Sequence, residues 1–171
     1  MSTIGFDTSN YTTSTAWADG KTDINVRQIL YVKDGERGIR QSDGVFQHMK
    51  LMPVMYEKLS EQIDFKDVKA VGVSTRPRCV EGSYMPVFLA GEGYAKVVAN
   101  TVGVPLYEFS HQDGHIMAGI YSSGSFELLE NDFISVHLSG GTTEILKSRY
   151  NGFNFDNEII GGSKDISAGQ F

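Results

Sequence analysis

A chain of 171 residues, 40% apolar and 21% charged, can bury a real core and is too ordinary in composition for wholesale disorder. Its net charge of −6 argues against autonomous nucleic-acid binding, which needs a basic face, and its single cysteine leaves no disulfide framework or CxxC knuckle. Met1–Asp7 lacks the charged and apolar regions of a signal peptide, and no apolar run reaches the roughly 18 residues of a membrane span. A cytoplasmic protein without membrane contact is the expectation.

The first third reads as a hairpin meander. A short apolar strand covers Thr3 to Asp7, a Thr-rich one Thr13 to Ala18, and an alternating one Asn25 to Val32, after a turn at Asp19-Gly20. Over 44–62 the positions Val45, Met49, Met52, Met55, Tyr56 and Leu59 keep helical spacing. Their methionines read as core, and Pro53 predicts a kink or a restart. A buried strand follows at Val68–Val73, then a loop through Arg76-Pro77-Arg78. Tyr84 to Thr101 patterns as a helix in which Gly91 and Gly93 point to close backbone packing. Val104–Glu108 is a strand that leads into a helix carrying His111 and His115. Phe133–Leu138 is another, followed by a tight loop at Ser139–Thr143, Glu144–Tyr150, a hairpin turn at Asn151-Gly152, and a return strand over Phe153–Ile160. The order predicts a mixed α/β sheet with flanking helices. The chain stops in mid-pattern at Ser167–Phe171, which reads as truncation of a longer protein.

The chemistry concentrates in four places. His111 and His115 stand four residues apart, one helical turn, so two imidazoles can share one divalent metal ion; Asp113 lies between them, and a third ligand must come from elsewhere. His137, at a strand end, is either that ligand or a half-buried structural histidine, whereas His48 reads as packing or a helix hydrogen bond. Asp7-Thr8-Ser9 sets a carboxylate and hydroxyls at a strand end, suited to a metal–phosphate unit or to a plain hydroxyl-rich turn. Ser139-Gly140-Gly141-Thr142 lets the backbone approach an anion, though Gly-Gly also makes ordinary turns. Arg76 and Arg78 could bind an anion but read better as solvated loop charges, and Cys79 has no adjacent basic helix start or obvious histidine in sequence to make it a nucleophile.

The order of these parts resembles the proteins that form threonylcarbamoyladenosine in tRNA, long labelled O-sialoglycoprotein endopeptidases or glycoproteases. Gly5-Phe6-Asp7-Thr8-Ser9 is similar to that family's opening strand and loop, Gln47-His48 through Pro53 to its A-H…P helix, and His111–His115 to its H-x-x-G-H. His137 through Thr143 is similar to its x-V-S-G-G-x-T loop, and Gly161–Gly169 to its G-E-S-x-D-x-A-A-G segment. Departures are Asp7 for the usual glutamate, Arg76-Pro77-Arg78 for a Gly-Pro-Gly loop, and Thr142 for a histidine or asparagine, which mark a divergent paralogue.

The resemblance implies an α/β, ribonuclease-H-like lobe of the actin-like ATPase and sugar-kinase superfamily, with residues 1–171 the first of two lobes. It implies metal ligation of iron or zinc by His111 and His115, joined by His137, which stands where some members carry a ligating tyrosine. ATP or an adenylate would meet Asp7, Thr8, Ser9, Leu138, Ser139, Gly140, Gly141 and Thr142. The expected activity is metal-dependent threonylcarbamoyl transfer to tRNA adenosine, inactive in this fragment alone, with a homologous partner subunit and tRNA reached only with a partner's help. No catalytic residue is assigned. Rival expectations are a metalloendopeptidase, weakened because Gln112 stands where zinc proteases carry a glutamate base, and a non-catalytic nucleotide- or partner-binding module.

Overall fold

The computed structural model describes residues 1–36, 38–138 and 143–167. The chain forms two compact units, Met1–His111 and Gln112–Phe171.

In the first unit a five-stranded sheet runs in the order β3-β2-β1-β4-β5, with β1 Ser2–Asp7, β2 Thr12–Ala18, β3 Asp23–Ile29, β4 Val68–Arg76 and β5 Leu106–Ser110. The meander β1–β2–β3 is antiparallel, while β1, β4 and β5 run parallel. Alternation in β1 buries Ser2, Ile4 and Phe6, and the parallel register sets Ile4 beside Val71 and Phe6 beside Val73. Helix α1, Gln41–Ser60, lays Gly44, His48, Met52, Met55 and Leu59 into the interior, a 4-4-3-4 spacing that keeps one stripe buried. Helix α2, Phe88–Val102, contributes Ala95 and Ala99 to the same core and ends on Gly103, whose left-handed φ of 77° directs its N–H to the Ala99 carbonyl.

Pro53 does not break α1, which is helical throughout. A proline cannot donate to the carbonyl four residues back, here that of Met49. The Tyr94 hydroxyl on α2 donates to that carbonyl instead, at 2.9 Å. The orphan left by the proline is satisfied by the neighbouring helix.

The second unit holds α3, which begins at His111 and runs to Ser123, and an antiparallel sheet β6-β7-β8 formed by Phe133–Leu138, Thr143–Tyr150 and Phe155–Gly162. The expected hairpin turn is present. Gly152 takes φ 95°, and the Asn151 carboxamide oxygen accepts the Phe153 and Asn154 amides at 3.1 and 3.0 Å. Leu146 and Phe155 are its buried apolar anchors on the sheet, with Ile120 on α3.

Boundaries shift modestly from expectation. β3 ends at Ile29 rather than Val32, α1 starts three residues earlier at Gln41, and Tyr84 to Val87 lie outside α2.

Candidate functional site

Three parallel strands bring their C-terminal ends to one edge of the first sheet, the edge where open α/β sheets bind ligands. Asp7 closes β1, Ser74 lies near the end of β4, and His111 follows β5 directly. The Asp7 carboxylate gathers them. Its Oδ2 accepts from His111 Nδ1 at 2.8 Å and its Oδ1 accepts the Ser9 amide at 2.7 Å, with the Ser74 hydroxyl close enough to favour the charged form. Burial pushes the Asp7 carboxyl up, but the hydrogen bond and positive charge of His111, with the bonds from Ser74 and Ser9, outweigh it and hold the pKa at about 2.

An ionised carboxylate can only accept, so His111 Nδ1 carries the proton in this bond. Carboxylate–histidine pairs of this kind orient imidazoles for metal binding. The donor chemistry of His111 therefore fits a divalent metal ligand.

Thr8 is placed differently. Its side chain is fully buried, with Oγ1 donating to the Val87 carbonyl at 2.8 Å and accepting the Gly91 amide at 3.0 Å. That hydroxyl braces the β1–β2 loop against the start of α2. Ser9 is half-buried and tied through its amide to Asp7.

His48 is fully buried and shares a 2.7 Å hydrogen bond between Nδ1 and the Thr13 hydroxyl, while Nε2 has no partner among the described residues. Burial pushes its pKa down to about 4, opposed by the nearby Asp7 charge. Arg76, the last residue of β4, donates to Thr75 Oγ1 at 3.2 Å and lies 3.7 Å from the sulfur of Cys79, which is exposed.

In the second unit His115 lies on the exposed side of α3, four residues after His111. Its ring centroid is 5.6 Å from that of His137, near the end of β6. Leu138 is exposed, and a cavity of about 550 Å³ between α3 and β6 has both histidines in its lining. Ser139, Gly140, Gly141 and Thr142 lie outside the described residues. Among the described residues no group of three or more His, Cys, Asp or Glu could hold a metal ion; they come in pairs, Asp7 with His111 and His115 with His137.

The partnership of Asp7, Ser74 and His111 went unrecognised in the sequence. No local pattern joins residues 7, 74 and 111; only the parallel order of β1, β4 and β5 does.

The sheet order β3-β2-β1-β4-β5 with flanking helices makes this a mixed α/β protein, and comparison with known proteins gives its fold as actin-like and ribonuclease-H-like. YeaZ from Pseudomonas aeruginosa has this fold, matching 98% of this chain and 69% of its own at a TM-score of 0.56 and 11% identity. The chain itself belongs to the tRNA N6-adenosine threonylcarbamoyltransferase family, whose family model matches residues 35–170. A relative from Christiangramia forsetii bearing that name is 31% identical over 122 residues, 70% of this chain and 33% of the relative. Another from Pyrobaculum calidifontis is 28% identical over 171 residues, 96% of this chain and 48% of the relative. The chain thus spans a third to a half of the length of these relatives.

Proposed function

We propose that this chain supplies the histidine-bearing part of a metal-dependent transferase that moves a threonylcarbamoyl group to tRNA adenosine through an adenylate. The observation that carries this reading is the Asp7–His111 hydrogen bond, which fits His111 as a metal ligand in the family's H-x-x-G-H segment. In this reading His111 and His115, one turn apart on α3, would hold the ion, with His137 the third candidate ligand. A bound iron or zinc ion supplies a Lewis acid for an oxygen of the adenylate.

The chain's own groups bind and position. Asp7 holds the His111 ring in one tautomer, Ser74 and the Ser9 amide hold Asp7, and Thr8 pins the loop that carries both. The segment Leu138 to Thr142 is assigned to the nucleotide from its two glycines and hydroxyls. Catalysis on this account is mainly positioning. The acidic chain reaches tRNA with the help of a homologous partner subunit. Proteolysis is the weaker reading, because Gln112 is buried and its amide cannot take a proton as a glutamate base would.

Zinc and iron content of the purified protein, compared with His111→Ala and His115→Ala, tests the reading. Stoichiometric metal in the parent and its loss in both variants is the expected result; equal metal content in all three overturns it. Stabilisation by ATP in a thermal-shift assay is expected of an adenylate-using transferase and not of a protease.

A further inference from the structure

Resting on that metal reading, we infer that Asp113 is a positioning residue for His115: its carboxylate fastens the first turn of α3 to the start of β8. Asp113 stands two residues before His115 and is buried, only 3% exposed. Its Oδ1 accepts the main-chain N–H of Phe155 at 3.2 Å. Phe155 is itself buried, with the rings of Tyr150 and Phe133 at 5.4 and 6.0 Å. A carboxylate is costly to bury unless it is hydrogen-bonded, and the Phe155 N–H supplies such a bond.

His115 needs that contact. The residue is exposed, and its orientation toward His137 depends on where the helix turn beneath it sits. A functional ligand must be held to within about 0.5 Å of its working position, and metal–imidazole bonds tolerate only about 0.2 Å. The Asp113–Phe155 hydrogen bond joins the helix turn bearing His115 to the hairpin that follows β7, the strand paired with His137's own strand. Asp113 thereby sets the rotation of α3 against the sheet that carries the second imidazole. It touches neither metal nor substrate.

The test is a cobalt(II) titration of the full chain, read by absorption and by isothermal calorimetry well below the Tm of every variant. Asp113→Ala removes the acceptor, and a loss of about 10- to 100-fold in cobalt affinity is expected. Asp113→Asn keeps an oxygen in reach of the Phe155 N–H and should stay within about threefold of the parent. Cobalt binding by Asp113→Ala equal to the parent overturns the inference alone, as does an equal loss in Asp113→Asn. Absence of cobalt uptake by the parent overturns the metal reading and this inference with it. Should Asp113→Ala fail to fold, Asp113→Asn and the hydrogen exchange of the Phe155 amide in the parent decide: exchange at the unprotected rate overturns the tether.

Discussion

Asp7 and His111, 104 residues apart, meet at 2.8 Å because β1 and the end of β5 flank β4 in one parallel layer. The carboxylate accepts and the Nδ1–H donates, which fixes the orientation of the imidazole. Asp7→Asn should therefore weaken cobalt or zinc binding by about 10- to 100-fold while leaving the fold intact, since the shape is kept and the charge is lost. Metal titration with thermal unfolding of the same sample checks this. An unchanged affinity would remove Asp7 from the site.

Gly91 and Gly93 look alike in the sequence and differ in space. A Cβ on Gly91 would stand 2.8 Å from Thr8 Oγ1, inside the hydrogen-bonded brace, whereas nothing lies within 4 Å of one on Gly93. Gly91→Ala should destabilise by about 1–3 kcal/mol through overpacking. Gly93→Ala should stabilise by about 0.5–1 kcal/mol, because alanine replaces glycine in an open helical position. Urea denaturation of the two variants should give opposite signs; equal signs would contradict the packing of α2.

These two glycines illustrate what the sequence holds. Periodicity located the helices and strands to within a few residues, since Ile4, Phe6, Met52 and Leu59 are buried by the alternation or helical spacing they show. His48 reads from the sequence as packing or a helix hydrogen bond; it is buried, and its bond runs to Thr13 on β2 rather than along the helix. The approach of Gly91 to Thr8, and of Ser74 to Asp7, depends on which strands are neighbours, and that is set by long-range pairing with no local trace. The Pro53 kink or restart was expected from the proline alone. No restart occurs, since α1 runs through Pro53, and the carbonyl the proline leaves without its donor is met by Tyr94, more than forty residues away.

His48 gives the protein a pH dependence of definite sign. Its folded pKa is lowered from 6.5 to about 4, so between those values the unfolded chain binds the proton more readily. Its contribution is complete above pH 6.5 and lost as pH falls toward 4, about 3 kcal/mol in all. His48→Asn keeps a partner for the Thr13 hydroxyl without the titration. Urea midpoints between pH 7 and 4 should fall more steeply for the parent than for this variant, and parallel curves would refute the assignment.

Tyr94 and Pro53 should be energetically coupled. With Pro53 present, the Met49 carbonyl has lost the backbone donor that an unbroken helix would give it, and the Tyr94 hydroxyl donates in its place at 2.9 Å. Tyr94→Phe in the parent removes that donor and should cost about 0.5–1.5 kcal/mol. In a Pro53→Ala background, the alanine's own amide can donate to the Met49 carbonyl, so the same tyrosine substitution should cost less. Pro53→Ala alone should be stabilising or neutral, given the roughly 3 kcal/mol penalty of proline inside a helix, of which the tyrosine recovers part. A double-mutant cycle by chemical denaturation measures the difference. A coupling of zero would mean that the hydroxyl contributes independently of the proline, and the helix would then need another explanation for tolerating it.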